Sequence, residues 1–359
     1  MSIFQTPKFP AVKDSLHAEL KKRVQSYFDE KGIASSGNKA LFTKAIILVA
    51  AFIATYIHLI FFMPHWYIAI PECMLLGILM AAIGFNVMHD GSHGSFSKHK
   101  WKNKLATASL NMLGANHFMW NMKHNMLHHS FTNVDGVDDD IEVGVFMRMA
   151  PTQKRYWLHR FQHFYFWFLY MMLYVFWIFF TDYQKYFLQR IGKVPLKKMT
   201  TKDHIGFWVT KLYHGFIFIA LPIILVGWFY WLMGFLIATL TSGLVLSIVF
   251  QLAHTVEDAH FPIADFDSKK LPEEFAIHQI KTTANFATKN KFISWILGGL
   301  NFQIEHHLFP KISHVHYPAI SNIVKTVCME YKLQYIEYPT MSRAVVAHIR
   351  LLRQLGKYD

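Results

Sequence analysis

The stretch 164-FYFWFLYMMLYVFWIFF-180 decides how often this chain crosses a membrane, and so on which side each polar cluster falls. It has 17 residues, the shortest of five apolar segments. The others run roughly over 41–63 (LFTKAIILVAAFIATYIHLIFFM), 67–88, 207–229 and 232–252. At about 21 to 23 residues each, those four can cross a bilayer core of about 30 Å. The links inside the first pair and inside the second pair are very short and hold no Lys or Arg, which reads as two helical hairpins. By contrast, the N-terminal 40 residues and the stretches 89–163, 181–206 and 255–359 are rich in Lys and Arg. The positive-inside rule places all four on the cytoplasmic side. If 164–180 crossed the bilayer, its basic flanks would face opposite compartments. Trp and Tyr favour the interface, so the segment is expected to lie along the membrane surface, with a fifth span as the alternative. The fold expected is all-α: four transmembrane helices in two hairpins, an interfacial helix, and a cytoplasmic helical cap.

Composition agrees with a membrane protein. Of 359 residues, 53% are hydrophobic and only 16% charged. The net charge of +13 fits basic loops facing anionic lipid. No continuous basic stripe is present, which argues against nucleic acid as a partner. Cys73 and Cys328 suggest no disulfide framework, and the N-terminus lacks the apolar core of a signal peptide.

With this topology three histidine-rich stretches share one side: 89-HDGSH-93, 124-HNMLHH-129 and 303-QIEHH-307. His254 joins them from the end of the fourth span, in 251-QLAH-254. On a helix, residues i and i+4 share a face, so His89 with His93, and His124 with His128, are each expected to bind one ion. Neighbours in an HH doublet point about 100° apart, so His128–His129 and His306–His307 can serve two ions. Gln303 lies three positions before His306, on its face. Eight histidines are too many for one ion and suit two. A lone HxxxH is as readily a solvated helix face; three such clusters on one membrane side are not. The remaining histidines read as surface or structural groups, among them His99, His117, His159, His163, His204, His278, His314, His316 and His348. His58, His65 and His214 belong to the spans and outer turn, and His260 is the least secure exclusion because it lies near His254. Imidazole suits zinc, copper, iron and nickel alike, so the donor set does not name the metal.

The boxes 89-HDGSH-93, 124-HNMLHH-129 and 303-QIEHHLFP-310 closely resemble those of the membrane fatty acid desaturases. The third box and the run 128-HHSFTNVDGVDDDIE-142 resemble the front-end, linoleoyl-CoA desaturase-like branch. The likeness covers roughly 40 to 345. It implies a desaturase domain over 41–345, after a cytoplasmic segment 1–40 and before a tail 346–359. It also implies a non-haem di-iron centre that uses O₂ and two electrons to place a cis double bond in an acyl chain carried by CoA or a lipid. Iron ligands implied by the motifs are His89, His93, His124, His128, His129, His254, His306 and His307, with Gln303 standing where other desaturases have a histidine. Asp90, Asp138 and Asp140 are candidates to orient the ligand rings. Many eukaryotic front-end enzymes carry a fused cytochrome b5-like domain with an HPGG motif, which this sequence lacks. Electrons are therefore expected from a separate ferredoxin, or from cytochrome b5 with its reductase. The active site is expected on the cytoplasmic face of a bacterial inner membrane, or of the endoplasmic reticulum. Hydroxylases, acetylenases and ketolases share the boxes and are the alternatives within the class. A metal transporter would line its spans with ionisable residues; here only Lys44, His58, Glu72, Lys211 and His214 occur, scattered.

Overall fold

A computed structural model describes residues 6–357 apart from Phe266. The first five residues of the expected N-terminal segment and the last two of the expected tail lie outside the described residues.

The chain is mostly helical, and five helices are long and apolar enough to cross a membrane. After α1 (Leu16–Lys31) come α2 (Lys39–Phe62) and α3 (Trp66–His93), then α4 (Lys100–Met112) and α5 (117–128). α6 (Trp157–Leu188), α7 (Thr201–Val226) and α8 (Trp228–His254) follow. The C-terminal part holds α9 (Phe275–Thr282), α10 (Gln303–Leu308), α11 (Tyr317–Glu330) and α12 (Met341–Lys357). Asn38 starts α2 by accepting a bond from the Leu41 amide, and Gly227 separates α7 from α8 with a positive φ. Large side chains such as Ile46, Phe62, Trp66, Ile224 and Trp228 remain exposed, as lipid-facing surfaces are.

α8 lies at the centre, between α3 and α6, and small residues let the helices touch. A Cβ on Gly77 would stand 2.2 Å from the Ala238 carbonyl oxygen, and one on Gly243 equally close to that of Met171. Backbones therefore meet at both crossings, the mode of packing that substitutes for a hydrophobic driving force in lipid.

Three boundaries differ from the expectation. α6 has 32 residues where the sequence suggested 17, because polar turns at both ends continue the helical winding. α3 also runs past the expected end at 88, through a π-type turn over Gly84–Met88, so the first histidine box extends the span itself. The expected tail is no appendage: α12 begins at Met341, buries Ala344, Ala347, His348, Leu351 and Leu352, and packs along α6 and its first turn, Trp157–Phe161. Its apolar stripe recurs every three or four residues and needs a partner surface.

Candidate metal centre

α3 and α8 deliver the first and fourth sets of histidines on their terminal turns; α5 and α10 deliver the others from outside the spans. The ring nitrogens of His89, His93, His124, His129 and His306 all lie within 4.8 Å of one another, and so do those of His128, His254 and His307. Each of these side chains is buried except the partly buried His93. All eight histidines singled out in the sequence are thus brought together, in one group of five and one of three, and a third group of His124, His128 and Asp140 bridges them.

His124 and His128 were expected to share an ion, and their ring nitrogens do lie within 4.8 Å of one another, together with a carboxylate oxygen of Asp140. His124 also stands with His129 in the larger group, and His128 with His254 and His307 in the smaller. The contact of His124 with His129 has a local cause. Residues Asn121–His128 wind as a π-helix, and the His129 amide donates to the His124 carbonyl at 3.1 Å. That i→i+5 bond places residues five apart over one another, where an α-helix would place those four apart.

Could these rings hold cations? His124 Nε2 lies 3.3 Å from His89 Nε2 and 3.1 Å from His129 Nε2, nitrogen against nitrogen. The Nε2 atoms of His93, His306 and His307 are buried without a hydrogen-bond partner among the described residues. Such orphaned groups are costly unless something takes the lone pairs. Burial first, and neighbouring rings second, hold His124, His129, His306 and His307 well below the ordinary imidazole range, so they are neutral donors. Four of the outer nitrogens are secured, while His129 Nδ1 is buried without a partner among the described residues. His306 Nδ1 lies 3.0 Å from the Tyr317 hydroxyl, His307 Nδ1 2.9 Å from Gln279 Oε1, and His254 Nδ1 3.3 Å from the Thr282 carbonyl. His128 Nδ1 faces both oxygens of Asp138 at 3.1 Å and Asp140 Oδ2 at 3.2 Å. Burial opposes charge on His128, but Asp138 and Asp140 outweigh it and hold that ring above its ordinary range. In these four rings a bonded outer nitrogen orients the imidazole toward metal.

Asp90 sits elsewhere than expected. It accepts from Ser313 Oγ at 2.7 Å and lies 3.0 Å from His314 Nδ1, so it braces the segment after the third box and touches no ring of the cluster. Gln303 is buried and donates its amide nitrogen to the Leu300 carbonyl at 2.8 Å. His260 is exposed and outside both groups. His159, His278, His314, His316 and His348, read from sequence as surface or structural, are all buried and hence structural. Gln279 and Tyr317 were missed. Both lie on apolar helix stripes, where a buried polar residue is itself a signal, but nothing local ties them to a histidine far along the chain.

Comparison with known proteins supplies the chemistry. A family model described as fatty acid desaturase matches residues 64–339. A protein of Synechocystis sp. named sn-1 linoleoyl-lipid 6-desaturase is 36% identical, over 94% of this chain and 94% of its own length. One of the same name from Arthrospira platensis is 34% identical over 94% of this chain and 92% of its own. An acyl-lipid (8-3)-desaturase of Physcomitrium patens is 36% identical over 96% of this chain and 72% of its own. The matched region takes in every one of the eight converging histidines: the chain belongs to the fatty acid desaturase family and is an oxidoreductase of that kind.

Proposed function

We propose that the protein is a front-end acyl-lipid desaturase, which places a cis double bond between an existing one and the carboxyl end of a lipid-linked chain. The names of its relatives support the lipid-linked substrate. Two irons would be held here, one by His89, His93, His124, His129 and His306, the other by His128, His254 and His307. The irons, with O₂ and two electrons, supply the oxidising power that an unactivated methylene C–H demands and that no side chain possesses. The rest of the site is the work of the protein. Asp138, Gln279, Tyr317 and the Thr282 carbonyl hold the rings in place. Trp120, stacked on His124 with centroids 4.4 Å apart, and Phe250 keep the surroundings apolar and dry.

The observation that carries this reading is the convergence of neutral, inward-facing imidazoles beside an apolar path. A small cavity of about 30 Å³ touches His89, Trp120 and Phe250. It shares Met80 and Tyr174 with a cavity of about 600 Å³ between the two hairpins, lined by residues such as Tyr56, Phe218 and Trp231. Such a path suits the methyl end of an acyl chain.

A four-span topology with the boxes on the cytoplasmic face belongs to the same proposal. In its favour, both ends of α6 are tied to the segment that follows the second box. Gln162 donates to the Arg148 carbonyl at 3.1 Å, and Lys185 pairs with Asp139 at 2.7 Å. A helix whose two ends meet one loop lies along the membrane more naturally than across it. Electrons would come from a separate acidic carrier, a ferredoxin or cytochrome b5, drawn to the basic face.

Purified protein is expected to hold about two irons per chain. Replacing His129 or His306 with alanine should abolish product while leaving the protein in the membrane. Elemental analysis and mass spectrometry of fed acyl chains check this. Stoichiometric zinc without iron, or products that gain oxygen in place of losing two hydrogens, would overturn it.

A further inference from the structure

The C-terminal helix α12 reaches into the framework of the metal centre through one residue, His348. α8 stops at His254, and a helix end leaves carbonyls without intrahelical partners. The next residue, Thr255, leaves the helical conformation with φ −114° and ψ 65°. His348 is 1% exposed, and its Nδ1 lies 2.5 Å from the Thr255 carbonyl oxygen. A carbonyl only accepts, so Nδ1 carries the proton and donates. Nε2 is then the acceptor, and the Tyr170 hydroxyl of α6 donates to it at 2.7 Å. Phe166 packs edge-on against the ring, with centroids 5.4 Å apart. Both nitrogens and one face of His348 are therefore committed.

The contacts continue on the other side of Thr255. Its hydroxyl donates to Gln251 Oε1 at 2.7 Å, and the Gln251 amide donates to the Asp140 carbonyl at 3.3 Å. Asp140 in turn borders His128. One line of bonds thus joins α12 and α6 to the terminal turn of α8 and to the loop beside His128. Two of the three residues in the smaller histidine group hang on it. Among the described residues the ring of His254 has a single hydrogen bond of its own, at 3.3 Å to the Thr282 carbonyl. Its placement consequently depends on where the helix end is held.

We propose that His348 is a positioning residue for the three-histidine site: by donating from Nδ1 to the Thr255 carbonyl it fixes the end of α8 and sets His254 in line with His128 and His307. This rests on the ligand reading given under the proposed function. The five-histidine site, which takes no residue from α8, should not depend on it.

The test uses full-length protein in detergent, stripped of metal and titrated with Co²⁺, with cobalt per chain and its visible absorption as readouts. Wild type should take up two ions, and His307→Ala one. In His348→Ala the affinity for the second ion should fall about 10- to 100-fold, the range seen when partners behind metal ligands are removed, with the first ion unchanged. His348→Asn keeps an N–H near the position of Nδ1 and should restore the second ion. His348→Gln keeps a polar group near Nε2 and should not. Secondary structure measured by circular dichroism on each variant separates loss of the site from loss of the fold. Two tightly bound ions in His348→Ala, beside a His307→Ala protein that has lost one, would overturn the role of His348 alone. His307→Ala protein that keeps both ions would overturn the ligand reading itself. Equal recovery in His348→Asn and His348→Gln would overturn the claim for the Nδ1 bond.

Discussion

At the scale of single residues, the pair His128–Asp138 shows how a ligand is prepared. Asp138 is buried, and the amides of Asn133 and Asp140 donate to its oxygens at 2.9 and 3.1 Å, so the carboxylate is itself held before it holds the ring. The acidic run 138–140 marked these residues in the sequence. That Asp138 takes the ring, Asp140 shares it with Lys123, and Asp139 turns to Lys185 needed the folded loop. Asp138→Asn replaces a charged acceptor by a neutral amide at the same place. The ion held by His128 should bind about 10- to 100-fold more weakly, while the five-histidine ion stays. Stepwise removal of metal by a chelator, followed by elemental analysis, measures both. Simultaneous release of the two ions would contradict the separation of the sites.

At the scale of elements, the decisive features are a change of helical winding and a helix of ambiguous orientation. The π-turns at Gly84–Met88 and Asn121–His128 both precede or carry histidines, and the second one brings His129 against His124, five positions before it. Spacing rules assume 3.6 residues per turn, so no such rule could foresee it. For α6, apolar length argues for a span and the ties at both ends argue for the interface. Cysteines introduced at Lys193 and Asn103, after and before α6, should react with a membrane-impermeant reagent from the cytoplasmic side only. The native Cys73 and Cys328 are buried and give little background. Labelling of the two from opposite sides would make α6 a span and separate the first two boxes from the third.

At the scale of the whole molecule, burying so many neutral imidazoles makes stability depend on pH. Burial pushes His278 and His348 down to about 4, with the backbone bonds of Thr132 and Thr255 opposing it. Below about 6.5 the unfolded chain takes up protons that the folded chain refuses, so stability falls with pH between about 6.5 and 4. Glu305 acts in the opposite sense. Burial lifts its carboxyl to about 7 against the bonds from Asn285 and Tyr335, so the folded chain binds that proton first and gains as pH falls from about 7 towards 4.5. Glu142 and Glu274, lifted by burial, and His128, held up by Asp138 and Asp140, act with Glu305. Against them stand His278, His348, the four depressed rings of the cluster outside the spans and the lowered carboxyls of Asp139 and Asp140, and the latter set prevails. Metal-free protein should show a steady melting temperature above about pH 6.5 and a progressive fall below it. A melting temperature that rises on acidification would refute the assignment of these rings as neutral.

Much of this was written locally. Apolar length and the absence of charge produced the hairpins, because lipid offers backbone groups no partner and only a long apolar helix satisfies them. Box spacing gathered all eight histidines, since i and i+4 positions and HH doublets keep their meaning wherever the helix lies. Tertiary structure decided what depends on distant segments meeting. It set His129 against His124 through the π-winding of α5, moved Asp90 from the cluster to His314, and made His348, some 90 residues beyond, a neighbour of Thr255. Hydrogen bonds between residues far apart in the chain leave no periodicity to read. They exist only once packing has brought the partners within about 3 Å.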